Sequence, residues 1–130
     1  MKNEKAYLVL RILFGLAFVG FGLMNILQLA PAPEFVGQAG EFMLALMDSG
    51  YIMQLNSVFM FLFGLSLLAN KYVPMMAMLY APFTLNQFLF HIFLDQATIA
   101  GSLVFTLFNL YLGYYFWDVY KPIFKPNSKI

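Results

Sequence analysis

Of 130 residues, 62% are hydrophobic and only 10% are charged, more apolar surface than one water-soluble core of this size can hide. A formal net charge of +1 gives no basic field for a nucleic-acid partner. Cysteine is absent, which excludes thiol catalysis, disulfide exchange and thiolate-held metals or clusters.

A helix that crosses a bilayer needs about 20 mostly apolar residues. Four runs answer to that description, at about 7–29, 52–69, 72–94 and 99–117. In hydrocarbon each segment must satisfy its own backbone hydrogen bonds, so runs of this length read as helices. The expectation is an all-α fold: one integral membrane domain over 1–130, a four-transmembrane-helix bundle. The surrounding bilayer is then its first partner.

The first run follows Lys2 and Lys5 and is interrupted only by Arg11, Asn25 and Gln28. A basic start and the Ala-x-Ala at Ala30–Ala32 also suit a cleaved signal peptide. The apolar run is too long for that, and Pro33 follows the would-be cut, so the segment reads as a retained anchor. Pro33 can open a helix. From Glu34 to Met47, Phe35, Ala39, Phe42 and Leu46 recur on one face, with Glu34, Gln38 and Glu41 on another. This predicts a short amphipathic helix on the outer surface, ended by Asp48-Ser49-Gly50. It serves either as an interfacial connector or as a lid over an outward-facing cavity.

The second run carries Gln54, Asn56 and Ser57 near its start, and Asn70-Lys71 turns the chain into the third. Asp95 ends the third run, and Lys121-Pro122 breaks the pattern after the fourth. With four spans, Lys2, Lys5, Arg11, Lys71, Lys121, Lys125 and Lys129 all fall on one side. Glu34, Glu41, Asp48 and Asp95 fall on the other. Basic loops stay in the cytoplasm, so both termini are expected there.

Polar groups inside a bilayer are expensive and mark candidate sites. Asn25, Gln54, Asn56, Ser57, Gln87, His91, Ser102 and Thr106 all fall in the outer half, with Thr84 and Asn109 near mid-depth. In the third run Tyr80, Thr84, Gln87 and His91 share one helical face, and Asn86 projects from a neighbouring one. His91, the lone histidine, sits four residues before Asp95. It reads either as a structural histidine bonded to Asp95 or as a group that handles a proton or a ligand. No ligand set for a metal or haem accompanies it. Arg11 reads either as a snorkelling cation or as a buried anchor for helix-end carbonyls or an anionic ligand. A site, if present, is expected to open outward around the third span.

Several stretches match in order along almost the whole chain. They are Arg11-Ile12-Leu13-Phe14-Gly15, Phe21-Gly22-Leu23, Gly64-Leu65-Ser66-Leu67-Leu68 with Pro74, Ala81-Pro82-Phe83, Asn86, Phe90-His91 and Leu94-Asp95. On these the chain resembles the DoxX family of small four-helix bacterial membrane proteins. The resemblance implies a multi-pass protein of the bacterial inner membrane. Family members have been linked to quinone-coupled sulfur oxidation, as membrane subunits, and to redox-stress complexes. Many relatives have a Lys where this chain has Asn25, and an acidic residue near the position of Met60. The second span here has no acidic residue, so a catalytic pair of that kind has no counterpart. His91 and Asn86 carry over as candidate site residues.

Three functions follow as expectations. The first is an accessory or structural subunit of a membrane complex, redox-linked or homo-oligomeric, and not an enzyme by itself. The second is a quinone-reactive oxidoreductase subunit. It would have His91 and Asp95 as its candidate chemical groups, and Asn86, Gln87, Thr84, Asn25, Gln54, Asn56 and Arg11 as candidate binding residues. The third is a carrier of small solutes or protons.

Overall fold

The computed structural model describes residues 3–29 and 35–127. Lys2, Ala30–Ala32, Pro33, Glu34 and Lys129, which entered the sequence reading, lie outside them. All regular structure among the described residues is helical, in the order α1 (Glu4–Ile26), α2 (Gly37–Asp48), α3 (Ile52–Ala69), α4 (Val73–Phe93), α5 (Ile99–Tyr115) and α6 (Trp117–Tyr120). Short 3-10 turns at Gln96–Thr98 and Lys121–Phe124 precede α5 and follow α6. Three segments are long and apolar enough to cross a membrane: Glu4–Ile26, Ile52–Ala69 and Gln96–Tyr115. Helix α4 has the length, at 21 residues, but Asn86, Gln87, His91 and two prolines leave it outside that group.

Boundaries shift where caps act. Asn3 accepts hydrogen bonds from the Lys5 and Ala6 amides, so α1 begins before the apolar run does. It ends at Ile26 because Gln28 turns left-handed (φ 56°), which lets the Leu29 amide reach the Met24 carbonyl. Asn70 closes α3 in the same way (φ 53°), with the Lys71 amide on the Ser66 carbonyl. Helix α2 starts at Gly37 rather than at residue 34, and Ser49 ends it by donating its hydroxyl to the Leu46 carbonyl. The fourth apolar run breaks at Phe116, which divides α5 from α6.

The closest packing is α1 on α3. Gly15 and Gly22 lie two turns apart on one face of α1, and Gly64 faces them from α3. A Cβ on Gly64 would stand 2.5 Å from the Val19 amide nitrogen, and one on Gly22 would stand 2.7 Å from that of Phe61. Backbone therefore meets backbone, as small residues permit. Helix α5 packs on α4, and α4 on α3. Aromatic rings close the gap between α1 and α5: Tyr7 stacks on Tyr115 at 4.1 Å and Phe14 on Phe108 at 3.9 Å. Phe18 meets Phe105 at 5.2 Å and Tyr80 at 5.6 Å. Tyr7 is thus part of the core.

The long helices alternate in direction. Tyr7 donates to the Asn70 side chain at 2.9 Å and Tyr120 to the Pro74 carbonyl at 2.5 Å. These bonds gather the start of α1, the α3–α4 turn and the end of the chain at one end, with Lys5, Arg11, Lys71, Lys121 and Lys125. Glu41, Asp48 and Asp95 lie at the opposite end. The two are called here the basic and acidic ends. The apolar core, with Phe63, Leu67 and Leu112 fully buried, occupies the basic half.

A Val at position 64 would have to push α1 away from α3. Gly64→Val is expected to destabilise the fold by about 1–3 kcal/mol. A thermal or denaturant titration in detergent checks this; unchanged stability would contradict the glycine contact.

Candidate functional site

The acidic half is built differently from the basic half. Its buried residues include Ser57, Thr84, His91 and Ser102. Burial of polar side chains is tolerated only where they find partners. Ser57 and Thr106 return their hydroxyls to carbonyls one turn back, at 2.8 Å each. Asn56 accepts from the Tyr80 hydroxyl at 3.2 Å. The Asn109 amide approaches the Thr84 hydroxyl at 3.5 Å. The Ser102 hydroxyl is buried without a partner among the described residues.

His91 lies at the end of α4, where its Nδ1 faces Asp95. The Asp95 carbonyl is at 3.2 Å and a carboxylate oxygen at 3.5 Å. Thr98 completes the group: its hydroxyl lies 3.3 Å from His91 Nδ1 and donates to the Asp95 carboxylate. The 3-10 turn at Gln96–Thr98 brings Thr98 back over His91, a placement the residue spacing does not show. Helix α2 covers the neighbouring residue. Phe35 meets Phe90 edge-on at 5.3 Å and Phe42 lies on it at 5.5 Å. Phe90 in turn stands edge-on to the His91 ring at 5.1 Å. Phe42 of α2 and Phe35 just before that helix thus cover Phe90, the neighbour of His91.

Gln87 breaks the pattern. It shares a helical stripe with Tyr80, Thr84 and His91, all buried, yet it is exposed. The helices thus leave the inward face of α4 accessible at the level between Thr84 and His91. Asn86 is exposed as well, but on the opposite side, with Pro82, Leu85, Leu89 and Phe93. Asn25 and Gln54 are exposed near the acidic ends of α1 and α3. The structure thus joins His91 with Asp95, Asn56 with Tyr80, and Thr84 with Asn109. It leaves Asn25, Gln54, Asn86 and Gln87 without a shared cluster.

Arg11 belongs to the basic half. It is half-buried, and its guanidinium donates to the Leu67 carbonyl at 2.6 Å and the Leu68 carbonyl at 3.2 Å. These carbonyls lie in the last turn of α3, where a cation is favoured; the Leu67 carbonyl also accepts from the Asn70 amide at 3.3 Å. Arg11 also lies 5.9 Å from the Tyr7 ring centroid, and its Nε is buried without a partner among the described residues. It is an anchor between helices, not a snorkelling side chain.

A cavity of about 740 Å³ lies in the basic half, between α4, α5 and the C-terminal segment. Ala77, Ala81, Asn109 and Gly113 form its inner wall, and Trp117 and Phe124 flank it at the basic end. Of the intramembrane polar residues read from the sequence, Asn109 lines it; the proposed binding residues and the His91–Asp95 pair do not. Tyr120 also lines it, and burial raises that phenol above its ordinary pKa. Among the described residues no group of three or more His, Cys, Asp or Glu could hold a metal ion.

Comparison with protein-family models, with curated proteins and with solved structures finds no match to this chain.

Proposed function

We propose that the chain is a DoxX-like protein of the bacterial inner membrane that serves as an accessory or structural subunit of a membrane complex. In this reading α4 is a fourth span. Helix α3 runs from the acidic end to the basic end, and so does α5. The segment between them must return across the bilayer, and α4 is that segment. The basic end then lies in the cytoplasm with both termini.

The observation that carries the subunit reading is Asn86. It lies on the side of α4 that faces away from the bundle, among exposed apolar residues. A carboxamide facing lipid has no hydrogen-bond partner, whereas a neighbouring helix can supply one. The partner is a second copy or another membrane subunit. A photo-crosslinker at position 86 is expected to capture one defined protein in intact membranes. Asn86→Leu is expected to weaken the association seen in mild detergent by roughly five-fold. Crosslinks to lipid alone, with a strictly monomeric chain, would contradict the reading.

The His91–Asp95–Thr98 group favours a second reading, a quinone-reactive oxidoreductase subunit whose site opens outward. A histidine held by a carboxylate and a hydroxyl is suited to moving a proton. Accessible Gln87 gives a ligand a polar contact one turn away. This reading predicts loss of quinone-linked turnover in His91→Ala, and unchanged turnover would reject it.

A further inference from the structure

We infer that the cavity in the basic half is a binding groove for one acyl chain of an anionic phospholipid. The inference does not depend on which partner or reaction the protein serves. It starts from the shape of the groove. At about 740 Å³ it falls within the ordinary range of ligand sites. It follows α5 from Tyr114 up to Asn109, five residues or about 7.5 Å of helix, and continues past the break at Phe116 to Trp117, so it reaches from headgroup level toward mid-bilayer. Its inner wall is made of small residues, Ala77, Ala81 and Gly113. A Cβ on Gly113 would meet nothing within 4 Å, so the space over it is open.

The chemistry of the wall fits a hydrocarbon chain with little polar demand. Asn109 already approaches Thr84. Pro82 has no amide to give the Met78 carbonyl, and Met78 lines the groove. Asn109 lies at the deep end of the groove and the Met78 carbonyl nearer its basic end. Apart from Asp118, its walls nearer the membrane surface are mainly apolar and aromatic.

The basic end decides the headgroup. Trp117 and Phe124 stack at 5.4 Å, and both are exposed along with Ile123. Aromatic and aliphatic side chains in this position belong at the interface. Lys121 and Lys125 flank Ile123 and Phe124, and both are exposed. Exposed Lys71 is carried on the adjacent turn, which the Tyr120–Pro74 hydrogen bond ties to the same segment. Asp118 also lines the groove and already has an interaction of its own. With Glu4 it is the acidic complement of this end among the described residues, against Lys5, Arg11, Lys71, Lys121 and Lys125. The excess of positive charge selects an anionic headgroup over a zwitterionic one.

The test uses the full chain in nanodiscs of equal phosphatidylglycerol and phosphatidylcholine, released into native mass spectrometry. Wild-type protein is expected to retain one phosphatidylglycerol. Gly113→Leu, which fills the groove where nothing stands in the way, is expected to lose it. Lys121→Gln and Lys125→Gln leave the groove intact and are expected to lower the preference for phosphatidylglycerol by roughly five-fold for each lysine removed. Retention of both lipids in proportion to the bilayer would overturn the inference. So would full retention of phosphatidylglycerol by a folded Gly113→Leu, or by the double lysine variant if the glycine variant fails to fold.

Discussion

Backbone contact between α1 and α3 is the constraint on which the other features rest. At Gly22 and Gly64 the two helices approach until a single added methyl group would collide with main-chain atoms, and at Gly15 with the Leu68 side chain. At that separation Arg11 reaches the last carbonyls of α3, and Tyr7 reaches Asn70 in the turn that follows. Hydrogen bonds to a charged donor contribute about 1.5–3 kcal/mol each, so Arg11 adds a polar lock to a steric one. The pair then offers a fixed wall of rings, from Tyr7 to Phe18, against which α5 and α4 settle.

That wall covers only the basic half. Above it α4 changes character at Pro82. Below the proline its inward face is Val73, Met76, Ala77 and Tyr80; beyond it the same face carries Thr84, Gln87 and His91. The apolar half packs shut along its core and leaves only the groove between α4, α5 and the C-terminal segment among the described residues. The polar half keeps Gln87 accessible while Phe42 of α2, and Phe35 just before that helix, lie over Phe90 beside the histidine. Polarity along one helix thus sets where the bundle closes and where it stays open.

Much of this is legible before any coordinates. Helical spacing puts Tyr80, Thr84 and His91 on one face, and all three are buried. The apolar spacing of Phe35, Ala39, Phe42 and Leu46 anticipates a surface helix, and the glycines anticipate close helix contact. Other features depend on distances that spacing does not contain. Thr98 reaches His91 only because a 3-10 turn folds it back. Gln87 obeys the stripe yet remains exposed, because exposure depends on how far neighbouring helices reach. Tyr7 stacks on Tyr115, a residue more than a hundred positions away. The groove beneath Gly113 arises from three elements that no local pattern connects.

The helix core is closed in the basic half, where the groove lies outside it between α4, α5 and the C-terminal segment, and accessible in the acidic half, the end proposed to face outward. The absence of native cysteine makes a direct test clean. Gln87→Cys, Met47→Cys and Ala77→Cys are each exposed to a membrane-impermeant maleimide added from outside the cell membrane. Labelling at positions 87 and 47, with position 77 protected, is the predicted result. Labelling at position 47 with none at position 87 would show that the acidic half is closed and would contradict the account.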